Sequence, residues 1–329
     1  MERVFPKPLV SGGHIRVVAL STSLGIVNES VRREAQTQLE AHGFHVSFAE
    51  HALDVDTLRS ASIEHRVADL HAALDDPDVD MILAARGGFN VNQLLPFIDF
   101  EKVRSARKPI CGHSDITALV NAVWARSGLV AYLGPNFSTL GMKQGAEYTW
   151  EAFTQSLSQP ASQTLAVSHF WSDDKWKEDQ DNRTFELNEG PWVLQEGEAT
   201  GTLIGGNLCT LNLLQGTPYM PSLKGAVLFI EDDALTGSFT INEFDRNLES
   251  LFQLPGADEV CGLVLGRFQK SSEVRRELLR DVIATKRVLK NLPVIANIDF
   301  GHTSPQATLP IGATAFIQGS SATIEMRQR

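Results

Sequence analysis

Four short segments place polar residues where an apolar run stops, and together they could supply a nucleophile, a base, an acid and an anion site. In CGHSDITAL (111–119), Ser114 stands between a run that reads as a buried strand and one that reads as an apolar helix. A sharp strand-to-helix turn would expose its hydroxyl, and the next backbone N–H, from Asp115, would face a developing oxyanion. The motif is Gly-x-Ser-Asp, not Gly-x-Ser-x-Gly, and taken alone it reads most simply as a serine capping the helix. RGGF (86–89) follows the apolar run VDMILAA, so Gly87 or Gly88 could bring a second backbone donor close to a ligand, or could simply make a tight turn. Glu231 ends the run GAVLFI, and His302 follows LPVIANIDF. A serine needs a base for its proton and an acid to orient that base, and Ser, Glu, His is also the chain order of α/β hydrolases. Asp232, Asp233 and Asp299 compete with Glu231 for the acid role.

The same His and acidic residues are the raw material of a zinc or magnesium site, but no H-E-x-x-H pair or comparable ligand spacing occurs, so no metal is expected. Cys111, Cys209 and Cys261 are widely spaced and lie in apolar runs, as reduced thiols of a cytoplasmic protein would. The N-terminal segment shows no signal-peptide pattern, and no stretch is apolar enough for a membrane span. With 29 Lys and Arg against 40 Asp and Glu, the net charge of -11 argues against a nucleic-acid polymer as partner, because such binding needs cations to displace condensed counterions. A small anion bound in a local pocket stays compatible with that charge.

The positioning of these groups follows from the pattern around them. At 329 residues the chain exceeds one ordinary core and suits two domains. From Ile15 to about Asn136, strand-like runs (IRVVALSTS, FHVSFAE, VDMILAARGG, PICGHS, LVAYLGPN) alternate with helical ones (VRREAQTQLEAHG, SIEHRVADLHAAL, VNQLLPFI, DITALVNAVWARSG), the mark of a doubly wound parallel sheet. A last helix, EYTWEAFTQSLSQ, closes a first domain over 1–165. A polar stretch over 166–198 forms the junction. A mixed α/β domain over 199–329 follows, with strands at GAVLFIEDD, EVCGLVLGRF and LPVIANIDF, helices at INEFDRNLESLFQ and EVRRELLRDVIATKRVL, and antiparallel alternation at its end.

Taken together, RGGF, CGHSDITAL, GTLIGGNLCTL (201–211), FIEDD (229–233) and DFGHTSPQATLPIG (299–312) resemble, in order, the LD-carboxypeptidase family, which includes muramoyltetrapeptide carboxypeptidases and microcin C immunity proteins. The resemblance covers most of the chain. It implies an α/β fold with a flavodoxin-like N-terminal domain and a barrel-like C-terminal one. It also implies a Ser114–His302–Glu231 triad in the interdomain cleft, an oxyanion hole from the N–H groups of Gly88 and Asp115, no cofactor, and a homodimer.

Two branches of the family compete. CGHSD resembles enzymes that release D-Ala from murein tetrapeptides in cell-wall recycling. FWSDDKWKEDQDNR (170–183) resembles the loop of the microcin-immunity branch, which cleaves an amide between an aminoacyl or peptidyl group and a nucleotide; because loops beside clefts set specificity, this reading leads. Trp171 or Trp176 would then stack on an adenine, or else pack between domains, while Arg86 and Asn207 would bind a substrate carboxylate or phosphate. Two other classes stay open: a non-catalytic binding protein on the same fold, and a cysteine amidotransferase-like enzyme using Cys111.

Overall fold

Central strands of a parallel sheet are buried on both faces, and the first domain is built around such segments. The computed structural model describes residues 2–158 and 162–327. Its first sheet contains β1 (His14–Val18), β2 (His45–Phe48), β3 (Met81–Ala84), β4 (Ile110–Gly112) and β5 (Ala131–Leu133), all parallel and ordered β2-β1-β3-β4-β5. This is the flavodoxin-like order that the family resemblance implies, and it places the switch point between β1 and β3, where ligands of such sheets bind. Every residue of β3 and β4 is buried, which explains their unbroken apolar runs.

Helices α1 (Glu29–Ala41), α2 (Ile63–Asp75), α3 (Phe100–Ala106), α4 (Ile116–Ser127) and α5 (Glu147–Ser158) flank this sheet. In α1 the stripe Val31, Ala35 and Leu39 faces inward at four-residue spacing. The expected helix VNQLLPFI is a 3-10 helix over Val91–Phe97, since Pro96 lacks the N–H an α-helix would use. The short α3, capped by the Asp99 carboxylate accepting from Lys102 N, was not expected. Helix α4 is buried nearly all round because it lies between the two sheets. Its Asn121 amide donates to Gly205 O (2.7 Å), and Thr117 Oγ1 accepts from Asn207 N (3.0 Å).

The stretch after α5 carries more structure than a plain junction: β6 (Ser162–Thr164), the small hairpin β7 (Phe170–Trp171) and β8 (Glu186–Leu187), and β9 (Trp192–Gln195). The second domain continues with β10 (Glu198–Asn207), α6 (Leu208–Asn212), β11 (Ala226–Glu231), α7 (Thr240–Phe252), β12 (Gly262–Gly266), α8 (Arg276–Thr285), β13 (Val294–Ile298), β14 (Leu309–Ile311), β15 (Thr314–Gln318) and β16 (Thr323–Arg327). Eight strands form one sheet in the order β6-β16-β15-β10-β11-β12-β13-β9. Strands β10 to β13 run parallel, and antiparallel strands flank them. The edge strand β9 passes through Glu196 and Gly197 directly into the central strand β10, so the sheet curls on itself and is barrel-like.

The domains exchange strands. Strand β14, from the C-terminal part of the chain, adds an antiparallel edge to the first sheet through Leu309–Leu133 and Ile311–Ala131 pairing. Pro310 is accommodated there because an edge strand needs no donor on its open side. In return, β6 joins the second sheet beside β16.

Candidate active site

Ser114 sits at the turn between β4 and α4 with φ of 65°, left-handed backbone that costs a non-glycine residue about 1–3 kcal/mol. The surroundings force this turn. A Cβ on Gly112 would lie 2.8 Å from both Ala84 Cβ and Ile116 Cγ2, and one on Gly87 would lie 2.8 Å from Ser114 Cβ. The strand-to-helix corner therefore closes only around glycine. Helix α4 receives no side-chain cap, and the Ser114 hydroxyl is engaged elsewhere.

That engagement crosses the domain boundary. Ser114 Oγ lies 3.1 Å from His302 Nε2, and His302 Nδ1 lies 2.7 Å from Glu231 Oε2. Glu231 ends β11 with its side chain 1% exposed, and His302 stands in the loop after β13. Burial alone would hold the His302 imidazole neutral; the charge and hydrogen bond of Glu231, reinforced by Asp233 and Asp232, outweigh it and raise its pKa. The competing carboxylates have other partners. Asp299 is bound by Arg267 (2.9 Å) and Ser168 N (2.8 Å), Asp232 by Asn207 Nδ2 (3.2 Å), and Asp233 accepts from Leu235 N (2.9 Å).

Around Ser114 the backbone is held by one buried carboxylate. Asp115, 1% exposed, accepts from Ser21 Oγ and from the N–H groups of Asn90 and Val91, both at 2.8 Å. It thereby ties the loop after β3 to the serine turn. Gly88 lies so close to Ser21 and Thr22 that any Cβ would collide with both hydroxyls. Among the described residues, neither Gly88 N–H nor Asp115 N–H donates to a protein acceptor. Two backbone donors of residues that line the same cleft as Ser114 are thus without a protein acceptor.

The cleft holding these groups has a volume of about 790 Å³. Arg86, Trp176 and Lys177 line it, as do Asn207, Asp232 and Asp233 from the second domain. Burial and then Arg59 lower the Arg86 pKa, and its guanidinium makes no ion pair among the described residues. Desolvation and then Arg86 push Lys177 down to about 8, which still leaves it a cation at neutral pH, with its side chain in contact with water. Asn207 is buried, caps α6 by accepting from Thr210 N (3.0 Å), and spends its amide N–H on Asp232. Burial, then Glu231 and Asp233, push the Asp232 carboxyl up to about 7.

Comparison with known proteins settles the kinship. The LD-carboxypeptidase N-terminal domain matches residues 15–134, and the LD-carboxypeptidase C-terminal domain matches residues 200–317. The chain belongs to the LD-carboxypeptidase family. It is 49% identical to the Bacillus subtilis protein YocD, named a carboxypeptidase, over 97% of this chain and 98% of that one. Identity is 30% to the microcin C7 self-immunity protein MccF of Escherichia coli (88% of this chain, 86% of that one) and 27% to the murein tetrapeptide carboxypeptidase of Pseudomonas aeruginosa (92% and 93%). Among solved structures, an MccF-like protein from Bacillus anthracis matches with a TM-score of 0.97 at 47% identity, covering 98% of this chain and 99% of that one. MccF in complex with aspartyl sulfamoyl adenosine matches at 0.88 and 28% identity, covering 99% of each. Membership of this family makes the chain a peptidase-type enzyme, and no helix among the described residues is long and apolar enough to cross a membrane.

Within this family member, not every residue singled out from sequence reaches the cleft. Trp171 does not. Its ring lies against Arg267 (4.9 Å) and Lys270 (5.2 Å) and lines a separate cavity on the far side of the loop from Trp176. Cys111 is fully buried, and burial pushes its thiol far above the ordinary range, which removes it as a nucleophile. His113, Glu231 and His302 bring donor atoms within 4.8 Å of one another, a set that could hold a cation, but both His302 nitrogens already face Ser114 and Glu231. A second group, His51, Asp54 and His65, has its two imidazoles stacked at 3.8 Å and 27°, so their lone pairs run alongside each other and do not converge. Sequence reasoning missed Lys177, the carboxylate of Asp115, and His113; the histidine stood in plain view beside Ser114.

Proposed function

We propose that this LD-carboxypeptidase family member is a serine hydrolase that cleaves an amide bond with Ser114 as nucleophile, His302 as base and Glu231 as the orienting acid. The observation that carries this reading is the unbroken contact from Ser114 Oγ through His302 to Glu231 at 3.1 and 2.7 Å. Ser114 Oγ attacks the carbonyl carbon while His302 Nε2 takes its proton. Glu231 stabilises the imidazolium that forms. The N–H groups of Gly88 and Asp115 receive the oxyanion. His302 then returns the proton to the leaving amine, and water, activated by the same imidazole, releases the acyl group from Ser114.

For substrate, we infer a peptidyl or aminoacyl nucleotide. Trp176 offers an aromatic face in the cleft, and Arg86 and Lys177 supply cations for an anionic group of the leaving portion. The match to MccF in complex with aspartyl sulfamoyl adenosine supports this choice. The alternative is D-Ala release from a murein tetrapeptide, supported by the CGHSD segment and by the Pseudomonas aeruginosa relative. Product analysis by mass spectrometry on an aminoacyl sulfamoyl adenosine and on a murein tetrapeptide separates the two. Cleavage of the adenosine compound alone is the expected result. Release of D-Ala alone would move the enzyme to the murein branch, and cleavage of neither would withdraw both substrates.

A further inference from the structure

The two oxygens of Glu231 are treated differently. Oε2 meets His302 Nδ1 at 2.7 Å, whereas Oε1 is buried without a hydrogen-bond partner. The nearest basic group to Oε1 is His113 Nε2 at 3.8 Å, and that nitrogen is also buried and unpartnered. Their side chains are 1% and 8% exposed. Buried polar atoms without partners are rare and costly, and here two of opposite character face each other. At 3.8 Å they are too far apart for a hydrogen bond and too close for a water to stand between them.

His113 cannot meet Glu231 as a cation. Burial first, then the proximity of His302 and Lys177, hold its imidazole well below the ordinary range, so it is neutral. A neutral imidazole has one N–H, and an ionised carboxylate only accepts, so the Nε2–H tautomer suits the facing oxygen. Position supports the pairing. His113 belongs to the β4–α4 turn of the first domain and Glu231 to β11 of the second, and the His113 and His302 rings lie tilted at 4.7 Å. The His113 backbone is itself fixed, its N–H donating to Asn136 Oδ1 at 3.0 Å.

We propose that His113 is a positioning residue of the triad, donating from Nε2 to Glu231 Oε1 when the two domains draw together on substrate. This rests on the catalytic reading of Ser114, His302 and Glu231. Because His113 and Ser114 are neighbours in the chain, the contact closes a ring: serine, His302, Glu231, His113 and back through one peptide. Glu231 is then gripped at both oxygens and cannot rotate away from His302 as the imidazolium forms. The second hydrogen bond also draws charge from the carboxylate, which tempers the pull of Glu231, Asp232 and Asp233 on the His302 proton.

The test compares His113→Phe, which keeps ring volume but donates nothing, with His113→Gln, which restores an N–H donor. For the Phe variant we expect kcat to fall about tenfold with KM within about twofold, the size expected for one lost charge-assisted hydrogen bond. The acid limb of its kcat profile, which reports the substrate-bound enzyme, should move to higher pH, because Glu231, relieved of one donor, holds the His302 proton more tightly. The Gln variant should recover most of the rate. Wild-type kcat with an unmoved acid limb in His113→Phe, or equal loss in both variants, would overturn the proposal. Ring-nitrogen NMR of the unmutated protein bound to an alkyl boronic acid covers the case of poor folding: the Nε2–H tautomer of His113 is expected, and the Nδ1–H tautomer contradicts it. Ser114→Ala run alongside keeps the two readings apart, since activity surviving in that variant removes the catalytic assignment itself, whereas a dead Ser114→Ala with a normal His113→Phe removes only the role of His113.

Discussion

The cleft has two regions that follow opposite rules. Around Ser114, the groups that move the proton already meet: the hydroxyl faces His302, His302 faces one oxygen of Glu231, and Asp115 collects three donors from the adjoining loops. Elsewhere in the cleft, groups are left wanting. Among the described residues Arg86 has no acidic partner, Lys177 stays in water, and Asp232 bears more negative neighbours than it can comfortably ionise beside. The difference separates the two tasks of an enzyme. Reaction chemistry gains from groups that need not reorganise, and substrate choice needs groups whose bonding is completed only by the ligand.

Breaking the ordered region should therefore cost far more than trimming the unfinished one. His302→Ala should lower kcat at least about a thousandfold without unfolding the protein, as loss of a triad base does, measured by turnover and thermal melting. Asp115→Ala should come next. It removes the one oxygen that accepts from the Ser21 hydroxyl and from the Asn90 and Val91 N–H groups, which loosens the loop after β3 against the serine turn. A fall in kcat of about a hundredfold is expected, in the range seen when an oxyanion donor is lost.

The unfinished region should answer in binding and in pH dependence. Trp176→Ala should raise KM for an aminoacyl nucleotide about tenfold, in line with one lost base–aromatic stack, while Trp171→Ala leaves KM alone because that ring lies against Arg267. Equal effects of the two would erase the distinction between the cleft and the far side of the loop. The smallest effect is a shift. His302 must be neutral to act as base, and its pKa is raised, so activity should fall as pH drops through a midpoint above 6.5, the unperturbed value. Asp232→Asn removes one of the charges that raise it and should move that midpoint down, read from the acid limb of kcat/KM.

Much of this was legible in the residues alone. The doubly wound sheet could be read because its central strands are apolar runs separated by amphipathic helices, as Met81–Ala84 and the α1 stripe illustrate, while its flavodoxin-like order was implied by the family resemblance. Ser114, Glu231 and His302 could be singled out because each falls where such a run ends, while the choice of Glu231 over Asp232, Asp233 and Asp299 came from the family resemblance. Strand β10 was not read as a strand because Gly205 and Gly206 interrupt it. Those glycines are demanded by tertiary contact, where a Cβ would strike Phe229 backbone in one case and Thr117 in the other. The exchange of β14 and β6 between sheets was equally hidden, since alternation shows that a segment pairs but not with which sheet. Substrate residues fared worst. Trp171 and Trp176 are five positions apart in one polar loop, and only the β7–β8 hairpin turns one ring toward Arg267 and leaves the other in the cleft.

The central claim is that Ser114 carries the acyl group. Rapid acid quench of a turnover mixture, followed by intact-protein and peptide mass spectrometry, tests it most directly. The account predicts an adduct with the mass of the acyl moiety on Ser114, absent from Ser114→Ala, which should also lose turnover while keeping its melting temperature. Turnover by Ser114→Ala at the wild-type rate, or an adduct on another residue, would contradict it.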